Sequence, residues 1–153
     1  MNAHDLSPLL DPIAAECNSR YPAEACGLLL ADKTGRLKFV AIPNIAGSSA
    51  AADTSSRTGR DGYVMDPARL VAELEAADSS GGSLAGIVHS HPDVGAYFSR
   101  EDREMALGGG DSPLWPGVEY LVMSCRAGAC DDARLYRWSD ADRDFQEERI
   151  PLP

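Results

Sequence analysis

The sequence has no long apolar run, no cluster of basic residues, and no repeat or low-complexity segment. The first absence excludes a membrane-spanning helix, which needs ~20 consecutive apolar residues. The second disfavours nucleic acid as a partner, because neutralising phosphates takes grouped Lys and Arg, and the 14 basic residues are scattered among 24 acidic ones. A formal charge of −10 serves solubility and could favour a partner with a basic face. The N-terminus, Met1-Asn2-Ala3-His4-Asp5, lacks the basic stretch and apolar core of a secretory signal. A soluble, cytoplasmic protein with no membrane partner is the expectation.

Cysteine is also sparse. Cys17 and Cys26 sit in apolar contexts and read as small buried hydrophobes. Cys125 and Cys130 flank Arg126-Ala127-Gly128-Ala129, a turn-like stretch. Such a pair could bind a metal or cross-link a hairpin, but no second pair completes a zinc ribbon, and structural or incidental thiols are expected.

What is present is the pattern of one domain over residues 1–153, with 44% apolar and 25% charged residues. A first helix is expected from Pro8 or Pro12 to Arg20, with Leu10, Ile13, Ala14 and Cys17 at helical spacing. The runs Ala25–Ala31 and Arg36–Ile42 read as strands around the Asp32-Lys33-Thr34-Gly35 turn. Residues 43–62 read as a long loop. Asp66-Pro67 opens a second helix with Leu70, Val71, Leu74 and Ala77 on one face. Leu84–His91 is a nearly continuous apolar strand, hence central and buried on both sides. A short helix over Ser99–Leu107 ends at Gly108. Val118–Ser124 and Arg134–Trp138 are further strands, with an edge strand near Glu147–Ile150. The mixed order predicts a single α/β or α+β domain.

The chemistry concentrates in His89-Ser90-His91-Pro92, followed by Ser99 and Asp102. Residues i and i+2 of a strand share a face, so His89 and His91 present two imidazoles together. Two histidines, a carboxylate and an open position make a catalytic zinc arrangement. The ten residues between His91 and Asp102 let a loop bring the carboxylate back. Hydrolysis also needs a group to take a proton from water. Glu24, just before the Ala25–Ala31 strand, is the candidate base, and Ser99 a candidate donor to a developing oxyanion. Ser99-Arg100-Glu101-Asp102 also fits a helix capping box, a second reading compatible with the first.

A distant glutamate, His-Ser-His-Pro and Ser-x-x-Asp together resemble the JAMM (MPN+) metalloproteases. The resemblance covers Glu24, His89-Ser90-His91-Pro92 and Ser99-Arg100-Glu101-Asp102. The stretches Pro22–Leu29, Asn44-Ile45-Ala46 and Tyr63–Pro67 also look like segments of compact prokaryotic members. The resemblance implies a curved mixed sheet flanked by helices. It implies Zn2+ held by His89, His91 and Asp102, with Glu24 activating water and Ser99 stabilising the tetrahedral intermediate. The implied activity is cleavage of a peptide or isopeptide bond after the C-terminal glycines of a ubiquitin-like or sulfur-carrier protein. A non-catalytic binding module on the same fold, or a metal-dependent hydrolase of a small amide, are the competing readings. By the same analogy, the segment Ala46–Gly62 would pair with an extended tail, and Trp115 would lie beside the cleft.

Overall fold

A computed structural model describes residues 1–48 and 58–153. The elements are α1 (Ala3–Arg20), β1 (Cys26–Ala31), β2 (Leu37–Ile42), α2 (Pro67–Ser79), β3 (Ser83–Pro92), α3 (Arg100–Leu107), β4 (Glu119–Arg126), β5 (Ala129–Ser139) and β6 (Asp144–Arg149). The strands form an open mixed sheet in the order β2-β1-β3-β4-β5-β6. Only β3 and β4 run parallel; the other neighbours are antiparallel. A parallel pair needs a crossover, and the segment carrying α3 supplies it.

Helix α1 begins earlier than Pro8. Asn2 caps it, accepting from the amides of His4 and Asp5, while Asp5 accepts from the Asn2 amide. Pro8 and Pro12 therefore lie inside the helix. Each removes a backbone donor, at roughly 3 kcal/mol in a helix interior. Leu6, Leu10 and Ile13 are at most 2% exposed, and burying each stabilises by about 1.5–3 kcal/mol, a sum of the same size as the cost of both prolines.

The sheet is covered on both faces. Leu6, Leu10 and Ile13 of α1 pack on Leu29, Val88, Leu121 and Met123. On the other face, Leu70, Leu74 and Ala77 of α2 meet Leu28, Leu30 and Ile42, and Ala106 of α3 joins Tyr120, Val122 and Tyr136. This two-sided burial explains the unbroken apolar runs of β1 and β3. Val71, expected on the packed face of α2, is instead 50% exposed. Gly108 closes α3 at φ 57°, a left-handed cap that costs glycine little.

Strands β4 and β5 run further than expected and meet in a tight hairpin, with Cys125 opposite Cys130. These two cysteines form a disulfide, the hairpin cross-link that the sequence left open beside metal binding. Strand pairing brings them together, a juxtaposition that spacing alone leaves open. Cys17 and Cys26 are free and buried, as expected, and burial pushes both thiols up to about 12. The Cys17 sulfur lies within 4.8 Å of both bridge sulfurs, but the bond between those two removes them as metal ligands. No helix among the described residues is long and apolar enough to cross a membrane.

Candidate metal centre and cleft

Alternation along β3 turns Val88 toward α1 and Ile87 toward the opposite face, so His89 and His91 share the Ile87 side. Ser90 points the other way. Its hydroxyl accepts from the Ala25 amide at 2.8 Å, and its own amide donates to the Ala25 carbonyl at 3.0 Å. With Cys26 opposite His89 in the β1–β3 register, these bonds bring Glu24 to the end of β3 that carries the histidines.

The two Nε2 atoms are 3.2 Å apart. Asp102 completes the group, with Oδ1 3.2 Å from His89 Nε2 and Oδ2 3.4 Å from His91 Nε2. All three side chains are buried. The 3.2 Å between the two Nε2 atoms is the edge of a tetrahedron whose centre lies about 2.0 Å from each corner, the distance zinc takes to nitrogen, and Asp102 sets one carboxylate oxygen beside each imidazole. The donor set therefore fits a divalent metal of the zinc type.

The ring orientations are fixed from outside the group. The Gly95 carbonyl can only accept, so His91 Nδ1–H donates to it at 2.9 Å and leaves the Nε2 lone pair facing inward. Tyr63 stacks on His89 at 4.9 Å between ring centroids. Burial lowers the proton affinity of His91, but Asp102 and the Gly95 carbonyl outweigh it, and its pKa is raised above the ordinary value. Burial likewise opposes the charge of Asp102, and His89, His91 and Ser99 overcome it, holding the carboxyl well below the usual range.

Asp102 satisfies both sequence readings at once. Its amide donates to Ser99 Oγ at 3.0 Å, and Ser99 N donates back to Asp102 Oδ2 at 2.8 Å, the capping box that starts α3. The same carboxylate faces the two imidazoles. Glu24 is buried, and with His91, Ser99, Asp102, Tyr63 and Tyr97 it lines a cleft of about 340 Å³. An apolar groove of about 410 Å³ adjoins it, sharing Tyr63 and Met105 and adding Leu70, Leu114, Trp115 and Tyr120. Trp115, 41% exposed, lines this adjoining groove and not the cleft itself. Of the segment 46–62, Thr58, Arg60, Asp61 and Gly62 line the cleft; the proposed tail-pairing stretch otherwise lies largely at residues 49–57, outside the described residues.

Sequence reasoning gave no role to Tyr63 as the wall behind His89 or to the Gly95 carbonyl. An aromatic following Gly62 was a weak signal for the first; a backbone carbonyl in a loop leaves none for the second. Burial pushes the Tyr63 hydroxyl well above its ordinary range, with Asp102 adding to it, so it stays a neutral phenol.

Residues 6–139 match the family described as prokaryotic homologues of the JAB domain. A desampylase from Haloferax volcanii is 38% identical over 103 residues, which is 67% of this chain and 63% of that protein. The matched region therefore spans less than two thirds of that relative's length. Among solved structures, a protein from Salinibacter ruber aligns with a TM-score of 0.60 and 27% identity, covering 95% of this chain and 88% of that one. One from Desulfitobacterium hafniense gives 0.64 and 22%, covering 94% and 87%. A JAB1/MPN domain protein from Archaeoglobus fulgidus gives 0.50 and 18%, covering 95% and 92%. The last two likenesses, under 25% identical, concern the fold.

Proposed function

The chain belongs to the family of prokaryotic JAB-domain homologues, the compact JAMM/MPN type, and from that premise we propose that it is a zinc-dependent peptidase. Its substrate would be the peptide or isopeptide bond after the C-terminal glycines of a ubiquitin-like or sulfur-carrier protein. The observation that carries this reading is the buried cluster of His89, His91 and Asp102, with donor atoms within 4.8 Å of one another, beside the cleft that His91, Asp102, Glu24 and Ser99 line.

In this reading His89, His91 and Asp102 hold the metal. When bound, zinc supplies Lewis acidity and lowers the pKa of water at the site to about 7. The Glu24 carboxylate takes the proton from the attacking water and returns it to the leaving nitrogen, a transfer for which its buried place on the cleft wall suits it. The Ser99 hydroxyl, already accepting from the Asp102 amide, keeps its own proton to donate to the carbonyl oxygen as charge develops there. The apolar groove beside the cleft suits aliphatic residues ahead of the glycines. The name of the Haloferax relative, a desampylase, favours a ubiquitin-like modifier over a small amide.

The test is incubation of the zinc-loaded protein with ubiquitin-fold carriers, extended beyond their terminal glycines or joined to lysine, with products read by mass. Cleavage after the last glycine is expected, together with its loss in Glu24→Gln at unchanged zinc content. A zinc-loaded protein that leaves every such bond intact while hydrolysing small amides, or nothing, overturns the proposal.

A further inference from the structure

Asn44 sits where the sheet should continue and does not. β1 and β2 pair from Cys26 opposite Ile42, so the next positions along that register set Ala25 opposite Pro43 and Glu24 opposite Asn44. Proline has no amide to donate. Ala25 turns to Ser90 for both of its bonds. The backbone of Asn44 leaves β1, bridging to Met65, while Ile45 N donates to the Val64 carbonyl. The Glu24 carbonyl would thus lose its ladder partner at the end of β1.

The Asn44 side chain takes that place. Its Nδ2 donates to the Glu24 carbonyl at 2.9 Å and to the Gly62 carbonyl at 3.2 Å. Its Oδ1 accepts from the amides of Ala46 and Val64, both at 3.0 Å. That uses both N–H groups and both lone pairs, the full capacity of an amide. The Glu24 amide is held from the same side, donating to the Gly59 carbonyl at 2.6 Å. Gly62 and Tyr63, either side of these bonds, line the cleft, and Tyr63 backs His89.

We propose that Asn44 is a positioning residue for Glu24, fastening the backbone of the base to the cleft wall at 59–64 so that the two keep one geometry. The inference rests on the reading of Glu24 as the base. A general base must lie within hydrogen-bond reach of the proton it takes, and a displacement of ~1 Å can cost ~100-fold in rate. Asn44 touches neither the metal donors nor the cleft with its amide; its effect on chemistry runs through Glu24.

Asn44→Ala should lower kcat by ~100-fold, with KM within ~3-fold and zinc stoichiometry unchanged. A double-mutant cycle separates positioning from general damage: in a Glu24→Gln background, Asn44→Ala should change the residual rate by less than ~3-fold. An equal loss in both backgrounds, or wild-type kcat in the single variant, overturns the proposal. Wild-type activity in Glu24→Gln alone refutes the base assignment instead, a separable outcome. If the alanine variant does not fold, Asn44→Asp enters the same cycle; it keeps the bonds from Ala46 and Val64 but sets an oxygen against the Glu24 and Gly62 carbonyls. Amide hydrogen exchange of the metal-free protein gives an arm independent of activity. Exchange in the folded alanine or aspartate variant should quicken at Glu24 as well as at Gly62 to Val64, and quickening that spares Glu24 overturns the link.

Discussion

Asp102 is assigned two jobs, holding a metal and closing the capping box of α3, and substitution can separate them. Asp102→Asn keeps an oxygen to accept from Ser99 N but removes the charge and lone pairs aimed at His89 and His91. Ser99→Ala removes the hydroxyl that accepts from the Asp102 amide and leaves the three donors in place. A ligand that binds only the folded state at a thousand times its Kd stabilises by about 4.1 kcal/mol, and at ten times its Kd by about 1.4 kcal/mol. For a chain of this size each kcal/mol moves Tm by about 2–4 °C. Zinc should therefore raise the wild-type Tm by about 8–16 °C at the higher saturation. If the carboxylate is worth ~100-fold in affinity, the same zinc should raise Asp102→Asn by only about 3–6 °C.

The serine variant should behave in the opposite way. Loss of an N-cap costs about 0.5–2 kcal/mol, so its Tm should fall by about 1–8 °C with and without zinc, leaving the zinc-induced rise intact. Differential scanning calorimetry with zinc and with EDTA reads all four numbers. A full zinc-induced rise in Asp102→Asn would refute the ligand assignment, and a rise abolished in Ser99→Ala would show that cap and metal site cannot be separated.

The raised pKa of His91 sets the direction of two pH effects. The metal-free fold holds this proton more tightly than the unfolded chain, so its stabilisation is complete below the unfolded pKa and fades as pH rises through the folded one. Zinc competes with that proton, so its affinity should climb over the same interval, from about pH 6.5 upward, by titration calorimetry; a flat affinity there contradicts the assignment. Cys17 and Cys26, pushed up to about 12 by burial, should resist iodoacetamide in the folded protein and label fully in denaturant, as read by intact mass. Stoichiometric labelling of the native protein would contradict their burial.

The legible parts of this fold and site are those written in short periods. Alternation along β3 placed His89 and His91 together, and the spacing of Leu10, Ile13 and Cys17 marked the buried face of α1. Boundaries set by competing local signals were less legible: Ser7-Pro8 and Asp11-Pro12 both have the form of an N-cap followed by proline, yet the Asn2 cap and the burial of Leu6 carry the helix through them. Contacts between distant segments left no trace in spacing. Nothing in residues 125–130 distinguished a bridge from two thiols, because the answer depends on the register of β4 against β5. Tyr63 reaches His89, and Gly95 reaches His91, only after the loops have closed.

Glu24 shows why a site of this kind needs more than its ligands. The histidines inherit their placement from a central strand buried on both sides, and Asp102 from the first turn of a capped helix. Glu24, the proposed base, has neither support, because it precedes β1 by two positions and its carbonyl lies beyond the end of β2 at Ile42. Its backbone is tied instead by the Asn44 side chain at its carbonyl and by the Gly59 carbonyl at its amide. Gly27 lets the strands approach where a Cβ would stand 2.6 Å from both the Val40 carbonyl and the Phe39 ring. In that pairing Gly27, three residues along the chain from Glu24, lies opposite Ala41, three residues from Asn44. A side chain at Gly27 would thus strain β1 between β2 and β3, three residues from Glu24 and directly opposite Val88, the neighbour of His89.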